Sequence, residues 1–309
     1  MAIYNLGSIN VDHFYQVKSF ATAGETISSS RYKRGLGGKG ANQSIALSLA
    51  GAKVRHIGAI NYNEVWIINE LNQFGIDTQG IHFAEQATGH AIIQVNEHSE
   101  NCIVLFKGAN FCLKAQTVQQ ELKHVTKTDW LLLQNETSLR AETVAQIRRS
   151  GCSIIYNPAP MDIEVVRELA DKVDVMVVNE TELLALAGIH DVDQAITHLL
   201  SSYPELTLVV TLGVAGSVYV DREQRIVQPA FPVQAVDTTA AGDTFLGYFL
   251  AAIDSGQPPQ RALLEASAAA AICVTRAGTS AAIPNRNEVL EFMTDTIVAR
   301  EMVARDTQV

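Results

Sequence analysis

The segment Val236-Asp237-Thr238-Thr239-Ala240-Ala241-Gly242-Asp243-Thr244-Phe245 runs a loop of small residues into a long apolar stretch, with a carboxylate at the junction. Backbone N–H groups in the first turn of a helix have no intrahelical partner and lie at the positive end of its dipole. Ala240, Ala241 and Gly242 are therefore placed to hold a phosphate, and Gly242 lets it come close. Asp243 would face the same pocket and accept a proton from a hydroxyl that attacks phosphorus. The chemistry this suits is phosphoryl transfer. Ordinary capping is the competing reading, because Asp and Thr cap helices with or without a ligand.

A second glycine-rich helix start stands at Gly35-Leu36-Gly37-Gly38-Lys39-Gly40-Ala41-Asn42-Gln43-Ser44, followed by Ile45, Ala46, Leu47, Leu49 and Ala50 at helical spacing. Lys39 adds a cation, and Asn42 offers both a donor and an acceptor one turn in, a combination suited to reading hydroxyls. Two known motifs match only formally. Gly35-x-Gly37-x-x-Gly40 has the dinucleotide spacing, but that fingerprint belongs at the first strand-to-helix turn, whereas the first strand here ends at Gly7-Ser8-Ile9-Asn10. A Walker loop would need Ser or Thr after Lys39, where Gly40 stands.

In this order and separation, Gly37-Gly38-Lys39-Gly40-Ala41-Asn42 and Asp237 to Asp243 resemble the two signatures of the ribokinase-like carbohydrate kinase family. Asn10-Val11-Asp12, Asn157-Pro158-Ala159-Pro160, Asn179-Glu180-Thr181-Glu182 and Val210-Thr211-Leu212-Gly213 agree with it, so the resemblance extends from Ile3 to Pro284. It implies transfer of the γ-phosphoryl group of ATP to the primary hydroxyl of a small sugar. D-ribose is the leading substrate, with another pentose, deoxyribose, a hexose or a nucleoside as alternatives. A non-catalytic sugar-binding protein is the reading from a different class.

By the same resemblance Asn10, Asp12, Gly38, Lys39, Asn42 and Glu136 hold the sugar hydroxyls, and Asp243 is the base. Asn179, Thr211, Gly213, Gly216 and Ser267 fall on the nucleotide side, beside the anion hole of Ala240, Ala241 and Gly242. Magnesium would accompany ATP, largely through water, with Glu182 as the nearby carboxylate; Glu182 is equally readable as a helix-start charge. Potassium would bind at Asp237 and Thr239 with backbone carbonyls of Cys273, Arg276 and Gly278. Three positions depart from the family pattern: Ala282 replaces an expected Ser, Ser267 an expected His or Asn, and Trp66 a glycine. Trp66 reads either as core on a helix or as a residue that reshapes the approach to the sugar pocket.

The elements that must position these residues form an α/β pattern. β-rich runs at residues 3–7, 54–60, 130–134, 153–157, 173–179 and 206–212 alternate with helical stretches at 41–50, 65–74, 139–149, 180–187, 192–200, 241–254, 259–276 and 286 onward. This predicts one domain over residues 1–309 with a mainly parallel central sheet flanked by helices on both faces. The carboxyl ends of such strands gather at one edge, and Asn10, Asp12, Gln134-Asn135-Glu136, Asn179 and Thr211 are all expected there. Two segments, 12–35 and 88–107, break the alternation and read as antiparallel strands of a small lid. In the resembled family such strands cap the sugar and pair two subunits, which implies a homodimer; the alternative is a hairpin packed on its own domain.

A length of 309 residues, 47% hydrophobic and 18% charged, can bury a sizeable core. A net charge of -10 with no long basic run argues against a nucleic-acid partner. No apolar run is long enough for a membrane span and Met1 to Leu6 lacks a leader's basic region, so a cytoplasmic protein is expected. The four cysteines form no C-x-x-C pair.

Overall fold

The computed structural model describes residues 1–98, 100–138 and 141–306. In chain order its strands are β1 (Ile3–Leu6), β2 (Asn10–Gln16), β3 (Arg31–Gly37), β4 (Val54–Asn61), β5 (Asp77–Ala84), β6 (Gly89–Val95), β7 (Asn101–Phe106), β8 (Trp130–Gln134), β9 (Ser153–Asn157), β10 (Val175–Asn179), β11 (Thr207–Thr211), β12 (Ser217–Val220) and β13 (Arg225–Gln228). Its helices are α1 (Lys39–Leu49), α2 (Trp66–Gln73), α3 (Ala115–Glu121), α4 (Ala141–Arg148), α5 (Ile163–Leu169), α6 (Glu180–Ala187), α7 (Val192–Ser202), α8 (Ala241–Asp254), α9 (Pro259–Val274) and α10 (Arg286–Asp306).

The large sheet has the order β13-β12-β11-β10-β9-β8-β1-β4-β5, parallel from β11 to β5 and antiparallel at β12 and β13. Successive strand residues face opposite sides, so Leu132, Ile155, Val177 and Val209 enter one core with α1, α8 and α9. Leu131, Leu133, Ile154 and Val210 enter a second core with α4 to α7. Apolar residues on both faces are what a sheet covered by helices on both sides requires. Among the described residues no helix is long and apolar enough to cross a membrane.

Two expectations about the N-terminal strands change. Asn10 and Asp12 do not end β1; they open β2 in a separate four-stranded sheet of order β3-β2-β6-β7. β1 ends at Leu6, and at Gly7 a Cβ would lie 2.6 Å from the Gly40 Cα, so glycine lets the first turn of α1 lie against the chain there. Nor is the small sheet purely antiparallel. Its two hairpins, β2–β3 and β6–β7, join through a parallel β2–β6 pairing with Asp12 opposite Ala91.

The helical pattern extended to residues 139–149, of which Leu139 and Arg140 lie outside the described residues. Sequence periodicity misses β5, β12 and β13, which sit at or next to the sheet edges and alternate weakly, and the short helices α3 and α5, which bury few residues each. The pairing of α1 with α8 matters most for the site. A Cβ at Gly247 would stand 2.4 Å from the Ala46 Cβ, so glycine lets the two helices close until their first turns meet.

Candidate functional site

The first turns of α1 and α8 meet at Asp243. Its carboxylate is buried and accepts from Asn42 Nδ2 at 3.1 Å and from Gln43 Nε2 at 2.8 Å. Burial raises its pKa, and the Lys39 charge and the two amide donors hold it back. Glu136, at the end of β8, accepts from Ser8 Oγ and, at 3.2 Å, from the Lys39 backbone N–H, so it caps α1. Burial raises its pKa too, opposed first by Lys39. Asp12 lies against Gly37, where a Cβ would come within 2.0 Å of Oδ2. Its pKa is pushed up to about 7 by burial, then by the charges of Glu136 and Asp243. Lys39 faces all of this: burial alone would lower its pKa, but Asp243, Glu136 and Glu182 together raise it.

The Lys39 ammonium group thus feels Asp243, Glu136 and Glu182, Asp12 feels Glu136 and Asp243, and Asn10 lies beside Glu136. Asn10 Oδ1 accepts from Asn110 Nδ2 at 2.8 Å, and Asn110 Oδ1 accepts from the Ile9 N–H at 2.8 Å. Asn42 Oδ1 is buried without a hydrogen-bond partner among the described residues. Buried acceptors of this kind bind hydroxyl donors and penalise an analogue that lacks them. Asn110, Ser8 and Gln43 are members that sequence reasoning did not select; Ser8 and Gln43 stand next to motif residues, whereas Asn110 carries no local signal.

On the other side of Asp243 lies a cleft of about 510 Å³. Thr211, Gly213, Gly216, Ala241, Gly242 and Ser267 line it, with Val214, Pro232 and Val233 as apolar walls. Among the described residues no side chain caps the N-terminus of α8, and Ala240 holds a left-handed φ of 61°, a costly conformation for a residue with a Cβ. The Ala241 N–H turns back to Thr238 O at 3.3 Å, and the first turn that follows it, beside an apolar slot, matches an anion joined to a flat ring.

The remaining expected residues are placed as follows. Asn179 is exposed, and its side chain is engaged in a capping box: Asn179 Oδ1 accepts from the Glu182 N–H at 2.8 Å and Glu182 Oε2 from the Asn179 N–H at 2.9 Å. Asp237 Oδ1 accepts from the Thr239 N–H at 2.9 Å and its hydroxyl at 2.6 Å, and Oδ2 from the Gly278 N–H at 3.0 Å. Burial would raise the Asp237 pKa, yet these donors hold it below the usual value. Val274 O receives the Val236 and Asp237 N–H groups, which ties this loop to the end of α9 where Cys273 and Arg276 lie. Ala282 is buried in a short 3-10 turn.

The family model for pfkB family carbohydrate kinases matches residues 3–286. The chain belongs to that family. This pfkB-family kinase is 41% identical over 299 residues to a ribokinase of Haemophilus influenzae, covering 93% of this chain and 97% of that protein. It is 32% identical over 305 residues to a deoxyribokinase of Salmonella typhi, covering 95% and 99%. The structure of Arabidopsis thaliana ribokinase complexed with ribose and ATP superposes with a TM-score of 0.86 at 27% identity, covering 94% of this chain and 98% of that one.

Within this pfkB-family kinase, Trp66 packs against the core that α1 and α8 enter, as its reading as core on a helix expects, and its ring also reaches the small sheet. It is half-buried at the start of α2, donates through Nε1 to Glu64, and carries the Arg34 guanidinium of β3 at 4.9 Å from its ring centre. Arg34 also faces Glu64 at 3.7 Å. The indole therefore joins the body to a strand of the small sheet, a contact that glycine could not make.

Proposed function

We propose that this chain transfers the γ-phosphoryl group of ATP to the primary hydroxyl of D-ribose. The observation that carries the reading is the position of Asp243: it follows Gly242, which lines the apolar cleft at the start of α8, and its carboxylate meets Asn42 and Gln43 and acts on Asp12, Glu136 and Lys39. Asp243 takes the hydroxyl proton while the N–H groups of Gly242 and its neighbours balance charge on the transferred oxygens. Positioning does most of the work, because the transition state is loose and the base acts late. The likeness to a ribokinase at 41% identity, and to one complexed with ribose and ATP, supports ribose as acceptor. The deoxyribokinase relative keeps 2-deoxyribose as the second reading.

Magnesium bound to ATP would lower the charge of the phosphates, and Glu182, whose Oε2 already holds the Asn179 N–H, would reach it through water. Asp237, kept ionised by Thr239 and Gly278, would hold a potassium ion with carbonyls of the 273–278 segment. We assign the chain to the cytoplasm, beside its nucleotide and sugar. We assign a homodimer to the small sheet because its edge strand β7 exposes Ile103, Val104, Leu105 and Phe106, a row that a second copy would cover. Light scattering that finds only monomers at micromolar concentration would remove that assignment.

The test of function is ADP release with ATP, magnesium and potassium against ribose, 2-deoxyribose, other pentoses, fructose and nucleosides. We expect the highest kcat/KM for ribose. A higher value for 2-deoxyribose would move the assignment to the second reading, and silence across the panel together with sugar binding would leave a binding protein.

A further inference from the structure

Gln43 follows Asn42 on α1, is fully buried, and has three partners. Its Nε2 donates to Asp243 Oδ1 at 2.8 Å and to Asn157 Oδ1 at 3.1 Å, while its Oε1 accepts from Gln134 Nε2 at 2.7 Å. An amide carries donors on one end and an acceptor on the other, so this set of partners allows one orientation. Gln134 is fixed in turn, because its Nε2 also donates to Asn5 Oδ1 at 2.9 Å. Asn5 Nδ2 then donates to Gly40 O and to Ser44 Oγ, each at 2.8 Å. The chain continues through Ser44 Oγ and His56 Nδ1, 2.8 Å apart, to the Gly7 carbonyl oxygen 3.2 Å from His56 Nε2. Burial pulls the His56 pKa down to about 4, so at neutral pH this end carries no charge.

We propose that Gln43 is a positioning residue for phosphoryl transfer. Oriented by Gln134 and Asn5, it holds Asp243 by Oδ1 and leaves Oδ2, which Asn42 also touches, as the oxygen that takes the hydroxyl proton. A line of buried amides running from the core of the sheet to one carboxylate oxygen fixes the carboxylate plane without adding charge, with Gln134 Oε1 its member that has no partner among the described residues. This inference rests on Asp243 being the base. The other ionisable groups that act on or feel Asp243 are Lys39, Glu136, Asp12 and Cys273, and none of them is altered by a change at Gln43.

Gln43→Met keeps the length of the side chain and removes the amide. A hydrogen bond to a charged group corresponds to about 10- to 100-fold in rate when it is aligned for the reacting state, so kcat should fall by that factor while the sugar Kd stays within about threefold. Loss of a donor to the charged form favours the protonated acid, so the acidic limb of the kcat profile should move to higher pH. Gln134→Met does not touch Asp243 but frees Gln43 to turn, and should shift both readouts the same way by less. Asp243→Asn is run beside them. If Asp243→Asn turns over normally, the base assignment fails and takes this inference with it. If Asp243→Asn is inactive but folded Gln43→Met matches wild type in kcat and limb, only the positioning role is overturned. Should Gln43→Met not fold, an unchanged kcat and limb in Gln134→Met overturns the role by itself.

Discussion

Asp243→Asn is expected to lower kcat by about 10²- to 10⁴-fold, the range that general bases contribute, while sugar affinity changes by only a fewfold. The two effects separate because the carboxylate has two tasks. As a base it must take a proton, which an amide does not do. As an acceptor it faces Asn42 Nδ2 and Gln43 Nε2, both donors, so the substituted amide sets its NH₂ against one of them. Gln43 cannot turn, because Gln134 Nε2 holds its Oε1. Asn42 can, because its Oδ1 has no partner among the described residues and would accept after rotation. The variant should therefore fold and bind sugar, and initial-rate kinetics beside sugar calorimetry read the two tasks apart. Near-normal kcat in the variant would end the role of Asp243 as base.

Sugar binding without ATP should weaken as pH falls through 7, and Asp12 is the reason. Its pKa of about 7 comes from burial, then from Glu136 and Asp243, so at pH 8 it is charged and at pH 6 mostly protonated. A hydroxyl donor binds the charged form better, so Kd for the sugar should be flat above pH 8 and rise by about tenfold per unit below the pKa until it meets the weaker binding of the acid form. Asp12→Asn should abolish this slope and bind about 10- to 100-fold more weakly at pH 8, the loss expected for one charged hydrogen bond. Calorimetric titration of wild type and variant at pH 8, 7 and 6 decides it. A wild-type Kd that does not change over this range would mean that Asp12 is not the acceptor, or is not held protonated.

Legibility followed the range of the physical cause. The start of α8 is visible as Ala240-Ala241-Gly242-Asp243 because small residues before an apolar helical run report on a local event. The start of α1 is equally visible, and the two matched the family pattern that residues 3–286 bear out. β12 and β13 were not visible, because they gain their order from a hairpin in which Asp221 accepts from the Glu223 and Gln224 N–H groups at 2.8 Å, not from an apolar period. Asn10 and Asp12 were assigned to the wrong strand for a related reason. Nothing near Gly7 announces that the Gly40 backbone will lie against it.

The α/β class, the two glycine-anchored helix starts and the family can all be read from residue types within a few positions of one another. That Asp243, Glu136 and Glu182 act on one Lys39, that Gln43 carries an amide chain to the base, and that Trp66 holds Arg34 of the small sheet emerges only when the chain is packed. Those facts depend on burial and on contacts between segments far apart in the chain. A carboxylate's pKa and an amide's orientation are set by whatever packing brings against them, and no local pattern records it.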